Sequence, residues 1–229
     1  MRYIVVFMSL VFSLFAQKVI SVDGDSITIN VEKAKSGMSG YVVHKIDEKD
    51  STIIKSVVVT SFKDGVATLK VSGFNVLKND AMPKAVWDVA VGDEVVLGYG
   101  YQRALLIAPS EELYYNITKQ LNLKWIHPDI FATMLSFNAH PTPLKSDFKE
   151  FSNTMSVGVI FFFLDDKLYM VDAQSFKVLS VVDTPFKNPE KADLPFYTRV
   201  GEIDSHWWNF GEGTDKLESY SYYKKLLGE

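Results

Sequence analysis

Cysteine is absent from the 229 residues. That excludes disulfides, a thiolate nucleophile, thiolate ligands for a metal and lipid attachment through cysteine, and it leaves packing to hold the fold. Histidine is scarce too. His44, His127, His140 and His206 share no metal-type spacing with one another, so neither a metal nor a cofactor is expected. Blocks of one charge are also missing: 24 basic and 28 acidic residues are interspersed for a formal net charge of −4. A phosphate backbone would be repelled overall, so no nucleic-acid partner is expected.

The usual catalytic arrangements are lacking as well. Asp165 and Asp166 are neighbours, and side chains adjacent on an extended chain point apart, so they read as a turn rather than a proton-sharing pair. Ser110 follows an apolar strand, as a hydrolase nucleophile does, but lacks flanking glycines and reads as a helix cap. Gly37, Gly40, Gly98 and Gly100 lie among strand residues and form no phosphate-cradling loop. His127-Pro128-Asp129 reads as a strand-to-helix corner, with Asp129 in the positive first turn of the helix. No catalytic residue is predicted, and the chain is expected not to be an enzyme.

What is present begins with Met1-Arg2 and an apolar run from Tyr3 to Ala16, the pattern of a signal peptide over residues 1–16 with cleavage after Ala16. The run is shorter than the roughly 20 residues a membrane-spanning helix needs. Leu14 in place of a small residue makes an uncleaved, tethered form the alternative. Either way the protein is expected to be exported, to the periplasm first and to the outer surface as the alternative, and to meet a membrane only through an uncleaved signal segment.

Residues 17–100 predict a small β-barrel-like domain. Ile27, Ile29 and Val31 alternate with polar residues, as do Ala67, Leu69 and Val71, while Asp23-Gly24 and Asp64-Gly65 are hairpin signals. Further strands are expected at 40–46, 53–62 and 92–97. Residues 101–183 predict a three-layer α/β domain with a mixed sheet: a strand at 104–108, a helix capped by Ser110, a strand at 124–126 and a helix opened by Pro128. A helix then follows Pro141-Thr142-Pro143, before strands at 157–164, 168–172 and 176–182. Residues 184–229 predict a proline-containing linker or wrapping arm and an aromatic tail, helical from Thr214, with Leu217, Tyr220, Tyr223 and Leu227 along one side. The fold class is therefore mixed α+β, with an N-terminal barrel, an α/β domain and a C-terminal tail helix.

Sixteen Phe, eleven Tyr and four Trp are more rings than a small core obviously needs. The densest group falls in the tail, so Trp207, Trp208, Phe210, Tyr220 and Tyr223, with Lys224 and Lys225 beside them, are the candidate partner-binding residues. Pinning the tail to the α/β domain is the competing reading of the same rings.

Several ordered blocks carry a resemblance: Ser39-Gly40-Tyr41-Val42-Val43-His44, Arg103-Ala104-Leu105-Leu106-Ile107-Ala108-Pro109, His127-Pro128-Asp129-Ile130-Phe131-Ala132, Ser156-Val157-Gly158-Val159-Ile160-Phe161 and Val171-Asp172-Ala173-Gln174-Ser175-Phe176. Over residues 17–182 the chain resembles the N-terminal domain of the plasminogen-binding proteins of motile spiral bacteria. The resemblance implies export, no enzymatic activity and binding to host plasminogen, whose kringle pockets take a lysine side chain together with a carboxylate. The sequence ends Leu227-Gly228-Glu229, without a terminal lysine, so a ligand mimic would fall to Lys224 or Lys225 with Glu218 or Glu229. The expected function is a non-catalytic protein-protein interaction or scaffold subunit, with envelope components such as those of the flagellar motor as partners. A surface adhesin for plasminogen is the first alternative, and an uncharacterised enzyme that joins His127 to carboxylates distant in the sequence is the last.

Overall fold

A computed structural model describes residues 16–74, 87–203 and 212–228. The chain divides into two compact units at Tyr99 and Gly100.

The first unit is a closed barrel. Its strands are β1 (Gln17–Asp23), β2 (Ser26–Asn30), β3 (Ser39–Lys45), β4 (Ser51–Lys63), β5 (Val66–Gly73) and β6 (Glu94–Leu97). They run in the order β1-β2-β5-β4-β3-β6, and antiparallel pairing of β1 with β6 closes the ring and removes the sheet edges. The alternation read from the sequence is the barrel's inside and outside: Ile27, Ile29, Val57, Val59, Ala67 and Leu69 are buried. Asp64 and Gly65 both take positive φ, 51° and 80°, as a two-residue hairpin turn requires.

The second unit is built on a five-stranded mixed sheet of order β11-β10-β9-β7-β8, formed by β7 (Arg103–Ile107), β8 (Lys124–Ile126), β9 (Val159–Leu164), β10 (Lys167–Asp172) and β11 (Val178–Asp183). β7 pairs in parallel with β8 and β9, while β10 and β11 add as antiparallel strands. Helix α1 (Glu111–Thr118) joins β7 to β8, and α2 (Pro128–Asn138) with α3 (Lys145–Met155) join β8 to β9. The first crossover leads outward from β7 to β8, and the second leads back across β7 to β9. Right-handed connections therefore put α1 on one face and α2 with α3 on the other. All six residues of β9 are buried, as a strand covered on both faces must be.

The rings account for much of the core on the α2 and α3 face. Phe131 lies 4.7 Å from Phe148, 5.0 Å from Phe151 and 5.5 Å from Phe196, and Phe148 continues to Phe162 at 5.4 Å. Each such pair adds about 0.5–1.5 kcal/mol beyond its burial. In a chain without disulfides this network stabilises the unit.

Several boundaries differ from the sequence reading, and three of the differences have a visible cause. β9 begins at Val159 because Gly158 is pressed against the backbone of Gly100, a turn residue with φ +81°. β11 begins at Val178 because the Asp172 carboxylate accepts from the amides of Gln174 and Ser175 and curls the chain before it. The tail helix is short: α4 spans Tyr222–Leu227 rather than starting at Thr214. Gly213 takes φ +85°, and Thr142 binds the preceding chain through Gly213 O and Asp215 O. Leu217 and Tyr220 still pack on the core, so their spacing reflects burial without a helix. Gly37, Gly98 and Gly100 also lie in turns with positive φ rather than in strands.

Candidate functional site

The segment after β11 wraps the unit. Asp165 and Asp166 form the β9–β10 turn, both with positive φ. Their carboxylates diverge: Asp166 accepts from the amide of Asn188 at 2.7 Å and from Lys187 Nζ at 2.8 Å, while Asp165 pairs with Lys224. The hydrogen bond from Lys187 leads in holding the Asp166 carboxyl below the ordinary carboxylate range. Further on, the amides of Asp193 and Tyr197 donate to Pro109 O and Ala108 O, each at 2.8 Å, which lays the arm across the carboxyl end of β7. Of the two readings, linker or wrapping arm, this is the arm.

The tail is fastened by three tyrosines. Tyr220 OH donates to Ile107 O at 3.0 Å, Tyr222 OH to Pro143 O at 3.0 Å and Tyr223 OH to Pro195 O at 2.9 Å. Tyr223 is 0 % exposed and its ring packs 5.4 Å from Phe162. Burial pushes its phenol, and that of Tyr220, well above the ordinary range. Tyr223, a partner-anchor candidate in the sequence, therefore serves the core and has no face left for another protein. Tyr220 is tied inward by its hydroxyl. Trp207, Trp208 and Phe210, as well as His206, lie outside the described residues. Lys224 is held by Asp165, whereas Lys225 is exposed and has no ion pair among the described residues.

Arm and tail leave a crevice of about 410 Å3 between them. Its floor includes Pro109 and Leu164, which follow β7 and end β9, and its charged lining is Asp165, Glu190, Lys191, Glu218 and Lys224. Of these, Asp165 was read in the sequence as a turn residue and Glu218 and Lys224 as a possible ligand mimic, while Glu190 and Lys191 did not stand out. The crevice lies at the carboxyl ends of the parallel strands β7 and β9, the end at which ligands bind in open sheets of this kind.

A second polar cluster anchors the arm to the starts of α1 and α2. His127 caps α2, its Nδ1 accepting from the Asp129 amide at 3.2 Å, and Ser110 caps α1 by accepting from Leu113 N. The Asp129 carboxylate accepts from Thr198 Oγ1, Arg199 N and Arg199 Nε at 2.9, 2.8 and 2.7 Å. Tyr197 OH donates to Glu111, and burial pushes the neighbouring Tyr114 phenol up to about 12. Burial opposes ionisation of Asp129, but the hydrogen bonds from Arg199 and Thr198 outweigh it and hold the carboxyl below its ordinary range. Burial likewise depresses His127 below 6.5. Both groups carry a folded-state value lower than the unfolded one. Their contribution is present above the unfolded values and is lost as pH falls through the folded ones. Thermal melts from pH 7 to pH 2 are therefore expected to show falling stability, first from His127 and then, below the ordinary carboxylate range, from Asp129. Asp129→Asn is expected to lower the pH 7 melting temperature and flatten the lower part of that profile; an unchanged profile would refute the assignment.

His44 and His140 are likewise matched to carboxylates, Asp93 at 2.7 Å and Asp147 at 2.9 Å. Among the described residues no cluster of three His, Asp or Glu is placed to hold a metal ion.

The fold and crevice define a two-unit protein, a closed barrel and a strapped mixed α/β sheet, with a surface recess of side-chain size. Residues 15–227 match the family described as plasminogen-binding protein pgbA N-terminal, and the chain belongs to that family. It is 29% identical over 197 residues to the plasminogen-binding protein PgbA of Helicobacter pylori strain J99, covering 84% of this chain and 42% of the relative. The protein of the same name from strain 26695 is 29% identical over 195 residues, covering 83% and 42%. The chain thus spans about two-fifths of the length of these curated relatives.

Proposed function

We propose that the chain is a non-catalytic protein-binding subunit of the bacterial envelope, exported to the periplasm, and that it meets its partner at the crevice between arm and tail. The observation that carries this reading is the crevice itself: a recess with an apolar floor and charged walls, in a family whose curated relatives are named for binding a protein. An accessory place in an envelope machine such as the flagellar motor is the specific form we propose.

The structure dictates how to test it. Truncation before His206 would remove Tyr223 from the core and unfold the unit, so point variants of the exposed wall are required. Cross-linking and co-purification from cells is expected to capture envelope proteins with the native chain and to lose them with Glu190→Arg/Glu218→Arg. Capture of no envelope protein, or equal capture by both chains, would overturn the reading.

A second reading, lysine-dependent plasminogen binding, is favoured by one observation. Lys225 is the exposed lysine of α4 without an ion pair among the described residues, while Lys224 is already tied to Asp165. Surface plasmon resonance against plasminogen is then expected to show binding that 6-aminohexanoate competes away and Lys225→Ala abolishes. Binding indifferent to both would sink it.

A further inference from the structure

We infer that the crevice receives a lysine- or arginine-bearing segment of the partner, with Asp165 as the cation subsite that the chain's own Lys224 occupies. This rests on the protein-binding reading above and specifies the chemistry of the segment that would enter.

The location comes first. In an open sheet with parallel strands, ligands bind outside the carboxyl ends of the strands. The crevice lies at that end of the parallel pair β7 and β9. Pro109, just after β7, and Leu164-Asp165, at the end of β9, lie in the crevice lining. The recess of about 410 Å3 falls within the range for small-ligand sites, roughly 300–1,000 Å3, and is large enough for one or two long side chains.

The chemistry of the lining then selects the occupant. Lys224 Nζ pairs with Asp165 Oδ2, so an ammonium is already seated on this carboxylate. Glu190 and Glu218 are exposed and have no ion pair among the described residues, and Lys191 is the remaining cation of the wall. With Lys224 neutralised by Asp165, two carboxylates face one ammonium, which favours a basic segment over an acidic one. Pro109, Leu164 and Leu194 supply apolar surface for the methylene stem of a lysine or arginine while its charged end reaches a carboxylate.

Lys224 is then an internal competitor. The Lys224 and Asp165 side chains are 37% and 55% exposed, so the pair is a weak surface bridge that an incoming cation can exchange. Removing the Lys224 side chain is expected to tighten binding by about two- to five-fold, the size of such a bridge.

Fluorescence anisotropy with a dye-labelled hexapeptide, Leu-Lys-Leu-Lys-Leu-Lys, and its counterpart with glutamate for lysine tests this on the full chain. The lysine peptide is expected to bind and to weaken with added salt, the glutamate peptide to stay free, Glu190→Gln/Glu218→Gln to weaken binding at least about five-fold, and Lys224→Ala to strengthen it. Equal binding of the two peptides, or indifference to the Glu190→Gln/Glu218→Gln change, would overturn the inference. Should melts show Lys224→Ala to be unfolded, the two exposed glutamates still decide. If Glu190→Arg/Glu218→Arg abolishes envelope capture while the lysine peptide fails to bind, the basic-segment chemistry falls and the docking site stands. If the peptide binds as expected but no envelope protein is captured, the chemistry stands and the envelope reading falls.

Discussion

Replacing Tyr223 by alanine is expected to destabilise the Gly100–Glu229 unit by about 3–5 kcal/mol, the cost of removing a fully buried ring from a core that cannot close around the gap. Tyr223 is 0 % exposed, sits in van der Waals range of Phe162, and carries the hydroxyl that satisfies Pro195 O. Two losses therefore combine, the packing of the ring and the donor to a buried carbonyl. Tyr223→Phe separates them: it keeps the ring and is expected to cost only about 1–3 kcal/mol, from the unsatisfied carbonyl. Urea titrations of the native protein and both variants check the order. If the alanine variant matches the native protein, the tail is not part of the core and the case for a tail-bounded crevice falls with it.

Gly158→Ala is expected to be as damaging for the opposite reason. A methyl group at this position would lie 2.3 Å from Gly100 C and 2.6 Å from both Gly100 O and Tyr101 N, all of them backbone atoms that cannot rotate away. The Gly158 amide also donates to Gly100 O and Arg103 O at 3.2 and 3.1 Å, so the approach is held by hydrogen bonds at the entry to β7. Forcing the two chains apart shifts β9 against β7 at the centre of the sheet. The cost is expected to reach the upper end of overpacking effects, about 3 kcal/mol. A control at Gly201, where a methyl would meet nothing within 4 Å, is expected to be near neutral. Comparable melting temperatures for the two substitutions would refute the account.

Much of the architecture was legible because the elements obey local rules. Alternating Ile27, Thr28 and Ile29 can be half-buried only as a strand, Asp64-Gly65 suits a two-residue turn, and Pro128 at the head of Ile130, Phe131 and Leu135 opens a helix. The continuous apolar run of β9 announced burial on both faces. The tail was misjudged as one long helix because Leu217, Tyr220 and Tyr223 carry the spacing of a helical stripe. The bonds that break the helix run to Thr142, Pro143 and Ile107, between 73 and 113 residues away in the chain, and no local pattern encodes them.

The same distinction governs the candidate site. The sequence alone determined that no thiol or disulfide chemistry is possible, that the charges are dispersed, that a barrel precedes an α/β domain, and that Asp165-Asp166 is a turn whose carboxylates act separately. Those properties depend on residue type or on neighbours a few positions apart. Only the tertiary structure decided that Tyr223 faces the core rather than a partner, that Lys224 is tied while Lys225 is exposed, and that Pro109, Asp165, Glu190 and Glu218 share one recess. A crevice is made where the ends of distant segments meet, and its charge is the sum of residues that have no relation along the chain until arm and tail are pinned across the end of the sheet.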